Sequence, residues 1–311
     1  MKLISYLKSG KQSIGLVIDE DFNIIDIPRI TNNKLPADMK TYLLNFEANN
    51  SFLRKLSINK EDFIFKINYD DILAPINNPT SFRDFYAFRK HVEVGRKSRG
   101  LQMIPEYDEI PVFYFSNHNA ISGPGPIIVQ KDHLGKLDFE LEVGLLISKN
   151  GKNIKAKDAY KYVAGLVILN DWSARSLQAQ EMKLNLGPAK GKDFATSIGP
   201  YLVTLDELES NIVGSKSDMV YDLNIKGYLN SKLICEDNLK NISWNFSDMI
   251  ERASYGVELF SGDLIGSGTC STGCLLELNL TNDTNNWLKE GDIVDFTIDK
   301  LGKLSNSIVL G

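Results

Sequence analysis

Apolar positions along the chain fall into short runs, not long helical stripes. KLISYLK, SIGLVID and NIIDI near the start read as strands, and a helical stretch follows around MKTYLLNFEANNSFLRKL before a polar break at NPTSF. From about residue 77 the runs lengthen and are separated by Gly, Pro and Asn turns. PVFYFS, GPIIV, DFELEVGLLI, YVAGLVILN, PYLVTL, YDLNIKGYLN, DLIGSGT, LLELNL and DIVDFTID all read as strands. Helical windows there are few: SFRDFYAFRKHVEVG, KDAYKYV and ISWNFSDMIERASYG. The pattern predicts an α+β chain that is mainly β, with a small amino-terminal α/β domain over 1–75 and a larger domain over 76–311. No repeat or heptad runs through it, and TNDTNNW at 281–287 reads as an exposed loop.

Composition narrows the partners. With 311 residues, 43% hydrophobic and 24% charged, the chain is long enough for a large core or two domains. A net charge of −5 gives no global reason to bind nucleic acid or an anionic membrane, so an anionic substrate must be attracted locally. The start has no apolar stretch suited to a signal peptide, and VAGLVIL falls well short of the ~20 residues of a spanning helix. The expectation is a cytoplasmic protein. Cys235, Cys270 and Cys274 make an odd count, which fits buried free thiols better than disulfides, and C-S-T-G-C is not the usual paired zinc spacing.

The chemistry concentrates in LDFELEV. On a strand, side chains alternate, so Asp138, Glu140 and Glu142 would share one face, with Phe139, Leu141 and Val143 on the other. Like charges in a row beside an apolar run call for a positive partner. Carboxylates at i and i+2 lie about 6–7 Å apart, near enough to reach one cation. Asp171, ending the run VAGLVILN, adds a further acid. All-oxygen donors favour Mg²⁺, then Mn²⁺ or Ca²⁺; the alternative is an edge strand with a solvated acidic face. In GPAKGKDFATSIGP, Lys192 would neutralise surplus acid and hold an anionic oxygen, or is a solvated loop lysine. His91 lies in the basic window RDFYAFRKHVEVGRKSRG, which would draw in carboxylates or form a solvated helix face.

DFYAFRKH, LDFELEV, LNDWSARSLQ, GKDFATSIGP, GSGT and LLEL, in that order, resemble the fumarylacetoacetate hydrolase family, over about residues 77–295. The resemblance implies a mixed β-roll around a central site, a smaller amino-terminal domain, often a homodimer, and a small oxo-acid substrate. It implies Asp84, Glu140, Glu142 and Asp171 as metal ligands, with Asp138 outside the set and Thr196 in the same loop as Lys192. It implies His91 and Glu277 as a hydrolytic dyad assisted by Lys192; Glu93, close to His91 in sequence, is a second candidate partner. Tyr86, Arg99, Gln178 and Thr269 match substrate-holding positions. The implied reaction is Mg²⁺-dependent hydrolysis of a C–C bond in an acylpyruvate-like or fumarylacetoacetate-like acid; other members of the family are decarboxylases, dehydratases or tautomerases. The chain departs from the pattern at Met182, where the eukaryotic enzymes have a tyrosine, and in the loop PVFYFSNHNAISGPG, where Tyr114 matches a place in the eukaryotic form.

Overall fold

In a computed structural model, residues 1–56, 61–97 and 100–311 are described. Ten strands run across the main sheet: β1 Lys2–Lys8, β2 Lys11–Val17, β3 Asn23–Asp26, β4 Ile64–Lys66, β5 Phe82–Phe85, β6 Phe113–Phe115, β7 Leu141–Ile147, β8 Val163–Asp171, β9 Thr196–Thr204 and β10 Leu264–Gly266. Their spatial order is β4-β3-β2-β1-β9-β8-β7-β10-β5-β6, with Ile72–Leu73 added on β1 and Ile121–Ser122 on β9. Most pairs are antiparallel; β10 and β5 run parallel. A second sheet orders Lys232–Asn238, Asn224–Leu229, Ile293–Ile298, Gly302–Leu310 and Gly125–Val129. The architecture is α+β and mainly β.

β7, β8 and β9 are buried along their whole length. Beyond the ends that carry Glu142, Asp171 and Thr196, their middles read as apolar runs because a core covers each face. Alternation sends Leu145, Leu166, Ile168 and Val203 into a core shared with Ile225, Phe296 and Leu304 of the second sheet. Their neighbours Leu146, Val167, Leu169 and Leu202 face a core shared with Ile27, Met39, Tyr42 and Leu43 of the amino-terminal segment. Residues 1–75 thus extend the same sheet, with Leu3 opposite Leu202 across the β1–β9 pair. The boundary expected at residue 75 falls inside one continuous sheet and core.

Three sequence expectations change. LLELNL is not a strand but the helix Leu275–Asn282, because Cys274 caps its amide at Glu277 while Asp138 accepts from Leu275 and Leu276. SFRDFYAF is not helical; it forms β5, and the helix begins only at Arg89. The acidic row does not lie on one strand, since regular pairing stops after Asp138 and resumes at Leu141. No helix among the described residues is long and apolar enough to cross a membrane.

Candidate metal centre and catalytic dyad

The strand ends of the main sheet converge. Asp84 sits within β5, Glu142 at the second position of β7, Glu140 just before it, and Asp171 at the end of β8, opposite Thr196 at the start of β9. Three helices close the site: α1 Arg89–Lys97 carries His91, α2 Arg175–Glu181 carries Arg175 and Gln178, and α3 Leu275–Asn282 carries Glu277.

Carboxylate oxygens of Asp84, Glu140 and Glu142 all lie within 4.8 Å of one another. Asp171 joins them through shared partners. Tyr114 donates its hydroxyl to Asp84 at 3.2 Å and also to Asp171. Lys192 donates to Asp171 at 2.7 Å and also contacts Glu140, so it is no solvated loop lysine but a buried cation. Glu142 accepts from the Gly268 amide at 3.0 Å and the Thr269 hydroxyl at 3.4 Å.

All four acids are buried, Asp171 fully and Glu140 to within 7% exposure. Facing them are the cations Lys192 and Arg175, and Arg175 is divided between Asp138 at 2.8 Å and Glu140 at 2.9 Å. The negative excess shows in the acidities. Burial, then the Asp171 charge, pushes Asp84 up to about 8. Burial and then Asp84 hold Glu142 far above the carboxylate range, and burial raises Asp171 as well. Glu140 goes the other way: burial alone would raise it, but Lys192 and Arg175 hold it down at about 2.

The donor set fits a hard divalent cation. Asp84 Oδ1 and Asp171 Oδ1 are buried without a hydrogen-bond partner, which is where an ion would bond. Space is kept for it by Gly266: a Cβ there would stand 2.3 Å from Asp84 Oδ1 and 3.1 Å from Glu142 Oε2.

Beside this cluster, His91 Nδ1 lies 2.9 Å from Glu277 Oε2, both buried. Glu93 is not the histidine's partner, since it is exposed and pairs with Arg89. The Tyr86 ring meets the His91 ring edge-on at 5.7 Å. Gln178 accepts from Arg175 at 3.1 Å, and the Gly191 backbone packs against it. Thr269 is buried beside Glu142. Of the residues singled out from the sequence, Asp84, Glu140, Glu142, Asp171, Lys192, Thr269, His91 and Glu277 come together with the contacts above. Arg99 lies outside the described residues.

Arg175 was missed from the sequence, although its position inside NDWSAR, four residues after Asp171, was the available signal. Asp138, set apart from the ligands, acts as a brace, accepting from Arg175 Nε at 2.8 Å and from the amides of Leu275 and Leu276 at 2.7 and 3.0 Å. It thereby joins the start of α2 to the start of α3.

Residues 80–309 match the family described as "Fumarylacetoacetate (FAA) hydrolase C-terminal". A fumarylacetoacetase of Arabidopsis thaliana is 30% identical over 270 residues, a match that takes in 70% of this chain and 64% of the plant protein's length. An oxaloacetate tautomerase of Xenopus laevis mitochondria is 28% identical over 99% of this chain and 90% of its own. Among solved structures, a putative HpcE protein from Mycobacterium smegmatis superposes with a TM-score of 0.77 at 23% identity, covering 100% of both chains. Maleylpyruvate hydrolase from Sphingobium sp. SYK-6, in complex with manganese(II) and pyruvate, superposes with a TM-score of 0.73 at 20% identity, again over 100% of both chains. With the family profile covering most of its length, the chain belongs to the fumarylacetoacetate hydrolase family.

Proposed function

We propose that the protein is a divalent-metal-dependent hydrolase that cleaves a C–C bond in a β-diketo acid of the acylpyruvate or fumarylacetoacetate type. The observation that carries this reading is the buried His91–Glu277 contact of 2.9 Å beside four carboxylates. Asp84, Glu140, Glu142 and Asp171 would hold the ion, with Mg²⁺ expected first, then Mn²⁺ or Ca²⁺. Such an ion supplies a Lewis acid for the substrate's oxo groups and for the enolate charge that bond cleavage leaves behind.

The chain's own groups do the rest. Glu277 accepts the Nδ1–H of His91, which fixes the tautomer with a free lone pair on Nε2. Nε2 takes a proton from water as that water attacks the substrate carbonyl. Lys192, protonated between Asp171 and Glu140, places positive charge where the enolate oxygen develops. Tyr86, Gln178 and Thr269 orient the substrate, with Arg99 assigned to its carboxylate.

A second reading has an observation of its own. The Xenopus relative that matches 99% of this chain is named an oxaloacetate tautomerase, so isomerisation of a 2-oxo acid, with decarboxylation or dehydration as related outcomes, competes with hydrolysis. The test is turnover of acylpyruvates, fumarylacetoacetate-like acids and oxaloacetate, with Mg²⁺ and with chelator, with products identified. Cleavage into two acids that chelator abolishes establishes the hydrolase. Enol–keto exchange, or CO₂ release without formation of two acids, establishes the second reading.

A further inference from the structure

Cys274 takes no part in the reaction just described, yet its thiol lies at the dyad. Its Sγ, one imidazole nitrogen of His91 and a Glu277 oxygen all lie within 4.8 Å of one another, and all three residues are buried. The donors come from two distant stretches of chain, α1 on one side and the start of α3 on the other. Sulfur, nitrogen and oxygen together make a borderline-soft set, unlike the all-oxygen cluster of Asp84, Glu140 and Glu142.

We infer that His91, Cys274 and Glu277 form a second, inhibitory metal site selective for Zn²⁺. Tetrahedral zinc with ordinary bond lengths holds its donors about 3.5 Å apart, so side-chain adjustments of about 1 Å complete the site. A fourth position remains for water. Binding forms a zinc–thiolate bond and releases the thiol proton to solvent. Whichever imidazole nitrogen bonds the metal, the other carries the ring hydrogen, so His91 keeps no lone pair to accept a proton from water. The two sites therefore sort cations by ligand chemistry: Mg²⁺ or Mn²⁺ among the carboxylates supports turnover, and Zn²⁺ at the dyad stops it. Only the inhibitory consequence rests on the hydrolytic reading; the binding itself does not.

The test uses the full chain saturated with Mg²⁺. Cys274→Ser keeps an oxygen acceptor for the Glu277 amide and so preserves the cap of α3, and Cys270→Ser controls for a buried thiol outside the site. Co²⁺ is titrated as a spectroscopic stand-in for zinc, and Zn²⁺ inhibition is measured in parallel. The expected result is a thiolate-to-cobalt charge-transfer band in the wild type and in Cys270→Ser that Cys274→Ser lacks, with zinc inhibition weakened about tenfold or more in Cys274→Ser. No band in the wild type, a band that survives in Cys274→Ser, or equal zinc sensitivity of the two proteins overturns the assignment. If no diketo acid is turned over, the hydrolase reading fails while the absorbance measurement still decides the metal site.

Discussion

The clearest consequences lie with single side chains. His91 supplies the base of the proposed hydrolysis, so His91→Ala is expected to lower kcat for diketo-acid cleavage by about 10²–10⁴-fold without loss of fold. Unchanged turnover, measured beside an intact melting transition, points to the tautomerase reading. Gly266 makes room for two ligands by lacking a Cβ; Gly266→Ala is expected to weaken Mg²⁺ or Mn²⁺ binding at least about tenfold, read by titration calorimetry, because the added atom collides with Asp84 Oδ1 at 2.3 Å. Asp138 was legible as an acid but not as a brace. Its partners, Arg175 and two amides of α3, are 37, 137 and 138 residues away, so no local pattern points to them. Asp138→Asn leaves Arg175 without its fully buried counter-charge and is expected to cost about 3 kcal/mol, measured by denaturant unfolding.

At the scale of elements, the leading strands carry their own polar knot. Asp26, at the end of β3, accepts from Tyr6 at 2.8 Å and Lys8 at 2.7 Å on β1, and from the Arg29 amide at 2.8 Å. Burial alone would raise Asp26, but Lys8, the Arg29 amide and Tyr6 outweigh it and leave the carboxyl below its ordinary value of 3.8. A depressed carboxyl binds fewer protons folded than unfolded, so its contribution is complete above the ordinary value and disappears as pH falls through it and below. The stability gap between the wild type and Asp26→Asn, measured by denaturation, is therefore expected to be wide at neutral pH and to close in acid. Elements also show where periodicity misleads. LLELNL has the alternation of a strand, and it becomes a helix because Cys274 just before it and Asp138 from a distant stretch of chain satisfy its first amides.

At the scale of the whole molecule, four buried acids against the Lys192 ammonium and a shared Arg175 make the protein a natural host for a divalent ion. Adding Mg²⁺ or Mn²⁺ at 100 times its Kd is expected to stabilise the fold by about 2.7 kcal/mol, seen as a rise in Tm that chelator reverses and Glu142→Gln diminishes. The sequence by itself determined the β-rich character of the chain, since strand period and turn residues are local properties. It also determined the chemical types at the site, because an acid pair set against an apolar run and an acid ending a buried strand stand out wherever they occur. The tertiary structure decided what those groups do: that the amino-terminal strands extend the central sheet, that Lys192 leaves its loop to meet Glu140 and Asp171, that His91 pairs with Glu277 and not Glu93, and that Cys274 joins them. Each of these is a contact between residues far apart in sequence, fixed by strand order and helix placement, and none is encoded in the spacing of neighbouring residues.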